Sequence, residues 1–474
     1  MKAIRFLSML LAALLVTSLC CFGAFAAEKV VFVADGGDDS AAGTSEAPVK
    51  TFAKAVEMLG ADGGTLVVMG VVTIEEGNSH MPESGPITVT SVYGGVDYRA
   101  KTYGTDTVGA RIVMKLGKTA AVGFQLRGDY VFDAVSLCVP DAGNASPVIA
   151  SSYHNFTVTD KFQTLYEDLD GNVWFTDEGQ VGQDSAARTY PPIYLLGYNK
   201  DMSDGGLTIT GNYTVDISAG DWYTVRVGDR DLLSRNTLDC QVTVQIRGGK
   251  YFYWTGKLEN QTNSNTAIQG LYQACTTANF RSTVNVTGGT IYGSIAAFGS
   301  FGIKSAGDCV QAGTVTLNIL NCTLARSYNF DYNYVIPTMY TGEAIGSFAV
   351  VYEDTATVNI NIDNTKVLCD PMPDIKICTV EGLKVNIALV EQSSHIIADG
   401  YNDIKYGPLS ATDTDPVPVT TEQPVEPTPE TTPATTEAGS DVTPPTGDYT
   451  LFVLFAAATV LCAATIGILK KKAR

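Results

Sequence analysis

Residues 242–249 read Val-Thr-Val-Gln-Ile-Arg-Gly-Gly, and residues 284–289 read Val-Asn-Val-Thr-Gly-Gly. Related runs stand at 207–212 (Leu-Thr-Ile-Thr-Gly-Asn), 315–321 (Val-Thr-Leu-Asn-Ile-Leu-Asn) and 358–364 (Val-Asn-Ile-Asn-Ile-Asp-Asn). Each run alternates an aliphatic residue with mostly Thr, Asn or Gln, which is typical of a strand with one buried and one solvated face. Each then reaches Gly or Asn, residues that tolerate the positive φ of a sharp turn.

The turns that close these runs recur at long, similar intervals. They fall 33 to 43 residues apart, at Gly211, Gly248, Gly288, Asn321 and Asn364. Repeats at such intervals indicate stacked coils, and we predict an all-β, right-handed parallel β-helix. The alternative is a β-sandwich, which needs hairpins between neighbouring strands. Asp-Gly steps, for example at 62–63, 170–171 and 204–205, are too few to supply them.

The beginning of this region adds a helix to the pattern. Residues 30–35 (Val-Val-Phe-Val-Ala-Asp) and an Asp/Gly-rich loop precede residues 52–59, where Phe52, Val56 and Leu59 share one helical face. This order resembles the opening of secreted parallel β-helix proteins of the pectin-lyase-like superfamily. The resemblance covers roughly residues 30 to 400 and implies that the short helix caps the first coil.

The superfamily includes pectate lyases and polygalacturonases, so the resemblance raises the question of catalysis. Polygalacturonases carry four motifs: Asn-Thr-Asp, paired Asp, Gly-His-Gly and Arg-Ile-Lys. Of these, this sequence has one paired Asp, Asp38-Asp39, which lies in the opening loop, and the other three motifs are absent. Pectate-lyase-like chemistry needs calcium-binding carboxylates and a basic side chain. The nearest catalytic candidates are Asp216, Asp221, Arg226, Asp229 and Asp231. If Val215 and Val225 point inward, Asp216 and Arg226 point outward from adjacent strands; a surface ion pair among ordinary turn residues is the alternative.

Three further aspartates stand close together in the opening loop. Asp35, Asp38 and Asp39 are candidate calcium ligands, because calcium takes several oxygen ligands at once. Ordinary Asp/Gly turn chemistry is the alternative, and no other cofactor is expected. The predicted ectodomain has an odd number of cysteines and no Cys-x-x-Cys spacing, which indicates neither a complete disulfide framework nor a zinc site. We read most of them as small buried hydrophobes. They are Cys138, Cys240, Cys275, Cys309, Cys322, Cys369 and Cys378.

Aromatic residues provide candidate binding groups. Tyr328, Phe330, Tyr332 and Tyr334 alternate with polar residues, which places four rings on one face if the segment is a single extended strand. Runs at 222–223 and 251–254 add more rings. Such rings stack on sugars and anchor protein contacts, although the stripe also fits a face that packs inward.

The two ends predict export and anchoring. Residues 1–26 read as a signal peptide, with Lys2 and Arg5 before an apolar run and Ala-Phe-Ala at 24–26. Residues 451–469 form an uncharged span followed by a basic tail, as in a stop-transfer segment. We therefore expect an ectodomain at 27–407, a Thr/Pro/Glu-rich disordered stalk at 408–446 and a sorting tail at 447–474.

The stretch before the span resembles the L-P-x-T-G cell-wall sorting signal of Gram-positive surface proteins. Pro444, Thr446 and Gly447 match that motif, whereas Thr443 stands in place of its Leu. The resemblance implies a sortase that joins Thr446 to the wall. The departure at Thr443 leaves open a variant sortase or a retained membrane span.

Net charge limits the partners. A formal charge of −19 argues against nucleic acid and anionic lipid surfaces. The expected partners are a signal peptidase, a sortase, the cell membrane or wall, and an extracellular glycan or a surface protein of a host or neighbouring cell. The leading prediction is a non-catalytic, cell-surface protein for adhesion or glycan binding. The alternatives are a β-helix polysaccharide lyase or glycoside hydrolase, and a structural spacer.

Overall fold

The computed structural model describes residues 28–399 with internal gaps. The gaps are 100–108, 117–122, 141–146, 168–172, 176–191, 198–205, 230–235, 253–265, 273, 300–308, 326, 329–333, 336–338, 341–349, 353–354, 364, 369–373, 377–382 and 390–396. The predicted signal peptide, stalk, sorting motif and membrane span lie outside the described residues.

Strands dominate the described chain. The helical elements are α1 (Phe52–Leu59) and two 3-10 turns, Gly60–Asp62 and Glu76–Asn78. The first strands are β1 (Val30–Val33), β2 (Gly64–Val68), β3 (Val71–Glu75), β4 (Ile87–Thr90), β5 (Val92–Tyr93), β6 (Val96–Asp97), β7 (Arg111–Lys115), β8 (Phe124–Gln125), β9 (Tyr130–Phe132), β10 (Ser136–Pro140), β11 (Val148–Ala150), β12 (Phe156–Val158), β13 (Gln163–Glu167), β14 (Val173–Phe175), β15 (Ile193–Leu195), β16 (Thr208–Ile217), β17 (Asp221–Trp222) and β18 (Thr224–Gly228). The later strands are β19 (Thr237–Ile246), β20 (Lys250–Tyr251), β21 (Thr266–Tyr272), β22 (Cys275–Thr276), β23 (Arg281–Val286), β24 (Thr290–Ile291), β25 (Ser294–Ala296), β26 (Cys309–Gln311), β27 (Thr314–Leu320), β28 (Thr323–Ala325), β29 (Ser327–Tyr328), β30 (Tyr334–Val335), β31 (Met339–Tyr340), β32 (Val350–Tyr352), β33 (Thr357–Asp363), β34 (Lys366–Leu368), β35 (Asp374–Lys376), β36 (Lys384–Leu389) and β37 (Ile397–Asp399).

The strands form four larger sheets, which the chain visits in rotation. Sheet A has the order β1-β2-β4-β9-β12-β16-β19-β23-β27-β33-β36, with β22 beside β19. Sheet B has the order β14-β13-β10-β7-β3, sheet C the order β37-β35-β31-β25-β21-β18-β15-β11-β8, and sheet D the order β17-β20-β24-β28-β34. Thus β9, β10 and β11 lie in sheets A, B and C, and β19, β20 and β21 lie in A, D and C.

Nearly all of these strand pairs are parallel. Among the described strands, the antiparallel pairs are β5–β6, β13–β14 and β29–β30. A mostly β chain with parallel sheets and this rotation is consistent with a β-helix or solenoid. The antiparallel β-sandwich alternative is therefore wrong, because, apart from these three pairs and β1–β2, the strands of the larger sheets pair in parallel with strands one rotation later.

The core is a set of aliphatic columns between the sheets. In sheet A, Val215, Val244, Val284, Leu317 and Ile360 are register partners on successive strands and are almost fully buried. Alternation within each strand turns Thr, Asn and Gln outward, as the sequence predicts. Of the described cysteines, Cys138, Cys240 and Cys322 are buried free thiols, as expected, and Cys275 is half-buried.

One predicted turn is wrong. Gly211 lies inside β16, where it pairs with Cys240 at a φ of 112°. Glycine tolerates this positive φ without a Cβ clash, so the strand continues to Ile217 and turns at residues 218–220. The turns at Gly248, Gly288 and Asn321 lie where the sequence predicts them.

Helix α1 lies against the first strands. The Thr51 hydroxyl accepts a hydrogen bond from the Lys54 N–H and caps the helix. Its buried residues are Phe52, Ala55, Val56 and Leu59, and the helix packs on β1, β2 and β3. The Phe52 ring meets Phe124, in the terminal strand of sheet C, edge-on at 5.2 Å between ring centroids. The predicted helix and its apolar face are confirmed.

Candidate functional site

The structure does not place Asp216 and Arg226 on adjacent strands. Both Asp216 carboxylate oxygens accept hydrogen bonds from the Arg247 side chain, at 2.9 to 3.1 Å. These hydrogen bonds, and then the charge of Asp216, raise the pKa of the Arg247 guanidinium. Asp216 lies on β16 of sheet A and Arg247 directly follows the neighbouring strand β19, whereas Arg226 lies on β18 of sheet C, so the fold separates Asp216 from Arg226. The inward direction of Val215 and Val225 is as predicted.

Arg226 is buried within its own sheet. Its Nε donates to the Thr224 hydroxyl at 3.1 Å, and its Cζ lies 4.1 Å from the centroid of the Tyr272 ring. Only 6% of Arg226 is exposed. The guanidinium is therefore held by protein groups on sheet C.

Asp229 is the acceptor at the centre of a buried network. Its carboxylate accepts hydrogen bonds from the Tyr153 hydroxyl and the Asn236 amide, each at 2.8 Å. Burial, and then the charge of Asp229, raises the pKa of Tyr153 well above its usual value. Asp229 has no exposed surface, so these contacts indicate a structural role. Asp231 lies outside the described residues.

Asp221, a member of the predicted set, lines a cleft. The cleft has a volume of about 440 Å³, within the range of ~300–1,000 Å³ that is common for ligand sites. It is lined by Asp160, Phe162, Gln163, Thr164, Ser218, Ala219, Gly220, Asp221, Gly249, Lys250 and Thr290. Asp221 itself is 3% exposed, and its N–H donates to the Thr164 hydroxyl at 3.0 Å. Burial, and then the nearby Asp221 charge, raises the pKa of Tyr166.

Stacked turns build one wall of this cleft. The Lys250 N–H donates to the Gly220 carbonyl, and the Thr290 N–H donates to the Gly249 carbonyl, each at 3.0 Å. Gly249 has a φ of 87°, and a Cβ there would lie 2.6 Å from the Gly220 carbonyl oxygen. Successive turns therefore touch through backbone alone. Asp221, Lys250 and Thr290 are in register on three successive strands of sheet D, β17, β20 and β24.

An aromatic stack is formed by the residues that directly follow two of these strands, β20 and β24. Residues two apart share a strand face, so Phe252 lies on the side of Lys250 and Tyr292 on the side of Thr290. Their rings are 4.8 Å apart between centroids and 3° from parallel. Phe252 is 7% exposed, and Tyr292 is half-buried. The polar cleft and the stacked rings thus form one continuous outer surface of sheet D.

A repeated four-residue pattern in the sequence marks this surface. Gly220-Asp-Trp-Tyr223, Gly249-Lys-Tyr-Phe252 and Gly289-Thr-Ile-Tyr292 are three copies of one pattern. In each copy the third residue faces the core, where Trp222, Tyr251 and Ile291 are fully buried. The second and fourth residues supply the polar and aromatic columns.

The aromatic stripe at 328–334 is not a single extended segment. Ser327–Tyr328 and Tyr334–Val335 pair antiparallel as a hairpin, with Tyr328 opposite Tyr334. Phe330 and Tyr332 lie outside the described residues. The backbone reverses within the stripe, so strand alternation does not extend from Tyr328 to Tyr334. Their role in binding stays a prediction.

The three candidate calcium ligands each accept hydrogen bonds from N–H or hydroxyl groups of the protein. Asp35 accepts from the N–H and hydroxyl of Thr73, and Asp38 accepts from the N–H and hydroxyl of Ser40. Asp39 accepts from the N–H groups of Lys50 and Thr51. Within the described part of the chain, no group of three or more His, Cys, Asp or Glu side chains is arranged to hold a metal ion. These contacts favour the turn interpretation, and calcium binding stays a prediction.

No protein-family model, curated protein or solved structure matches this chain. In the described ranges, no helix is long and apolar enough to cross a membrane. The predicted span at 451–469 is not among those ranges.

Proposed function

We propose that the chain is a cell-surface-anchored, right-handed parallel β-helix that binds glycans, or adheres to another surface through them, without cleaving them. The signal peptide at 1–26 exports it, and the stalk at 408–446 carries the β-helix away from the anchor. Either a sortase joins Thr446 to the wall or the span at 451–469 remains in the membrane.

The observation that carries this proposal is the surface of sheet D, where the cleft adjoins the stacked rings of Phe252 and Tyr292. Carboxylate, amide and hydroxyl groups in the cleft match the hydroxyls of a sugar. An aromatic ring with a polar tip suits the apolar face of a sugar ring. Both sets of groups stand on stacked strands, so little conformational entropy is lost on binding.

The contacts of the predicted catalytic groups support binding over cleavage. Asp216 is held by Arg247, Asp229 by Tyr153 and Asn236, and Arg226 by Tyr272 and Thr224. General acid–base catalysis needs such groups directed at a substrate from one cleft. Of these candidates, only Asp221 lines the cleft described above.

The test uses the full chain, purified in detergent, and a panel of neutral and acidic polysaccharides with and without calcium. We expect retention on at least one polysaccharide without new reducing ends or ultraviolet-absorbing unsaturated products. Tyr292→Ala should weaken retention about tenfold, as expected for loss of one aromatic contact. Tyr93→Ala is the matched control, because Tyr93 is 40% exposed on the β5–β6 hairpin away from sheet D.

Three results would decide between the functions. Product formation would replace binding with the lyase or hydrolase alternative. Retention that is equal in wild type and Tyr292→Ala would move the site away from sheet D. No retention on any polysaccharide would leave adhesion to a surface protein or the spacer alternative.

A further inference from the structure

The outer face of sheet A carries a column of side-chain amides beside the cleft. Gln245, Asn285, Asn318 and Asn361 are register partners on β19, β23, β27 and β33, and we call them the amide column. The Asn318 amide donates to the Asn285 side-chain oxygen, and the Asn361 amide donates to the Asn318 oxygen, each at 2.7 Å. Parallel strands lie ~4.8 Å apart, so one oriented amide stands on each of these strands.

The amide column keeps hydrogen-bonding capacity after these internal bonds are made. A side-chain amide has two N–H donors and two acceptor lone pairs. The ladder uses one donor and one acceptor of Asn318, which leaves one of each. All four residues are half-buried, so they are accessible from the solvent side, and the ladder holds the orientation of Asn285, Asn318 and Asn361.

A second neutral column runs parallel to the first. Thr243, Thr283, Thr316 and Asn359 are register partners two residues earlier on the same strands, and we call them the hydroxyl column. The Asn359 amide donates to the Thr316 hydroxyl at 3.3 Å. Neither column contains a charged residue, although the chain as a whole carries −19.

The absence of charged residues from the two columns favours a neutral ligand. The two columns offer no cationic group for a polyanion, and the net charge of the chain repels one. The exposed Arg281, two residues before Thr283 on β23, lies on the same face but outside the columns. Paired donors and acceptors, repeated once per strand, complement a polymer whose hydroxyl groups repeat along a line. Gln245 is the register partner of Asp216, which precedes the cleft residue Ser218 by two positions, so the columns lead to the cleft.

We propose that the amide and hydroxyl columns form a track for a neutral, unbranched polysaccharide that lies along the stacking direction of sheet A and reaches the cleft. The proposal rests on the glycan-binding function proposed above and names its ligand class. The alternative is that the amide ladder only stabilises the stack.

The test measures binding of the full chain in detergent to cellulose, a neutral linear glucan, and to polygalacturonate, a linear polyanion. We expect wild type to bind cellulose, and Asn318→Ala to bind it about tenfold more weakly, because one ladder residue is lost and its neighbours lose their orientation. Asn279→Ala is the control, since Asn279 is exposed on a turn outside both columns. Thr316→Val keeps the side-chain volume and removes one hydroxyl from the hydroxyl column. It should weaken binding to cellulose severalfold, and it leaves the residues of the amide ladder unchanged.

The outcomes separate this proposal from the function on which it rests. Binding to cellulose that survives in both Asn318→Ala and Thr316→Val overturns the track and leaves glycan binding intact. Binding to polygalacturonate in preference to cellulose overturns the neutral ligand class. Failure of wild type to bind any polysaccharide of the larger panel overturns the proposed function itself.

Discussion

Removing one core side chain from sheet A tests the stacked architecture directly. Leu317 on β27 is fully buried, with Val284 and Ile360 as its register partners on the two neighbouring strands. Leu317→Ala removes three side-chain carbons from this column and leaves a cavity between consecutive strands. The matched control is Thr316→Ala on the adjacent, outward-facing position.

The expected magnitude follows from the burial of Leu317. Leucine-to-alanine substitutions at fully buried sites cost about 2 to 5 kcal/mol, because transfer and cavity terms add. Thr316 is half-buried and accepts one long hydrogen bond, 3.3 Å, from Asn359, so Thr316→Ala should cost about 1 kcal/mol or less. In a stack, each repeat contacts only its neighbours, so the loss should remain local.

Hydrogen exchange measured by mass spectrometry provides the assay. In Leu317→Ala, amides of β23, β27 and β33 should exchange roughly 30-fold faster or more, which corresponds to ~2 kcal/mol of lost local stability. Amides of β4 and β9 should keep their wild-type rates. Urea denaturation of the same variants checks the total loss.

Two outcomes would refute this reasoning. Equal acceleration of exchange at β4, β9 and β33 would indicate one globally cooperative core. Similar stability losses for Leu317→Ala and Thr316→Ala would mean that the inward and outward faces of β27 are assigned incorrectly.

Two further predictions concern buried polar groups. Asp229→Ala should cost roughly 2 to 4 kcal/mol in urea denaturation, because the Tyr153 hydroxyl and the Asn236 amide lose their buried acceptor; a cost no larger than that of the surface variant Asp216→Ala would contradict it. Burial raises the pKa of the Cys240 and Cys322 thiols to about 12, above the ordinary value of ~8.5. Above pH ~8.5 the thiols ionise in the unfolded chain but stay neutral in the folded chain. Their contribution to the free energy of unfolding should therefore be complete below pH ~8.5 and decline as the pH rises towards 12. Peptide mapping after iodoacetamide treatment at pH 9 should find both thiols unmodified in the folded chain and modified in urea, and rapid labelling in the folded chain would contradict the burial.

The candidate site was only partly predictable from sequence. Asp221 was selected for its place in a charged turn, and it does line the cleft. Asp216 was matched with Arg226, ten residues away, whereas its partner is Arg247, 31 residues away. The stack of Phe252 on Tyr292 was missed, because those residues are 40 positions apart and meet only when their strands are neighbours.

Local features were determined by the sequence alone. Alternation of aliphatic and polar residues decided which side of each strand is buried, since side chains on a strand point to opposite faces in turn. The spacing of Phe52, Val56 and Leu59 likewise decided the buried face of α1. Which strands become neighbours, and therefore which side chains meet across them, was decided only by the tertiary structure. Register between coils depends on where the chain turns, and a single glycine such as Gly211 can serve either as a turn or as part of a strand, depending on the strand beside it.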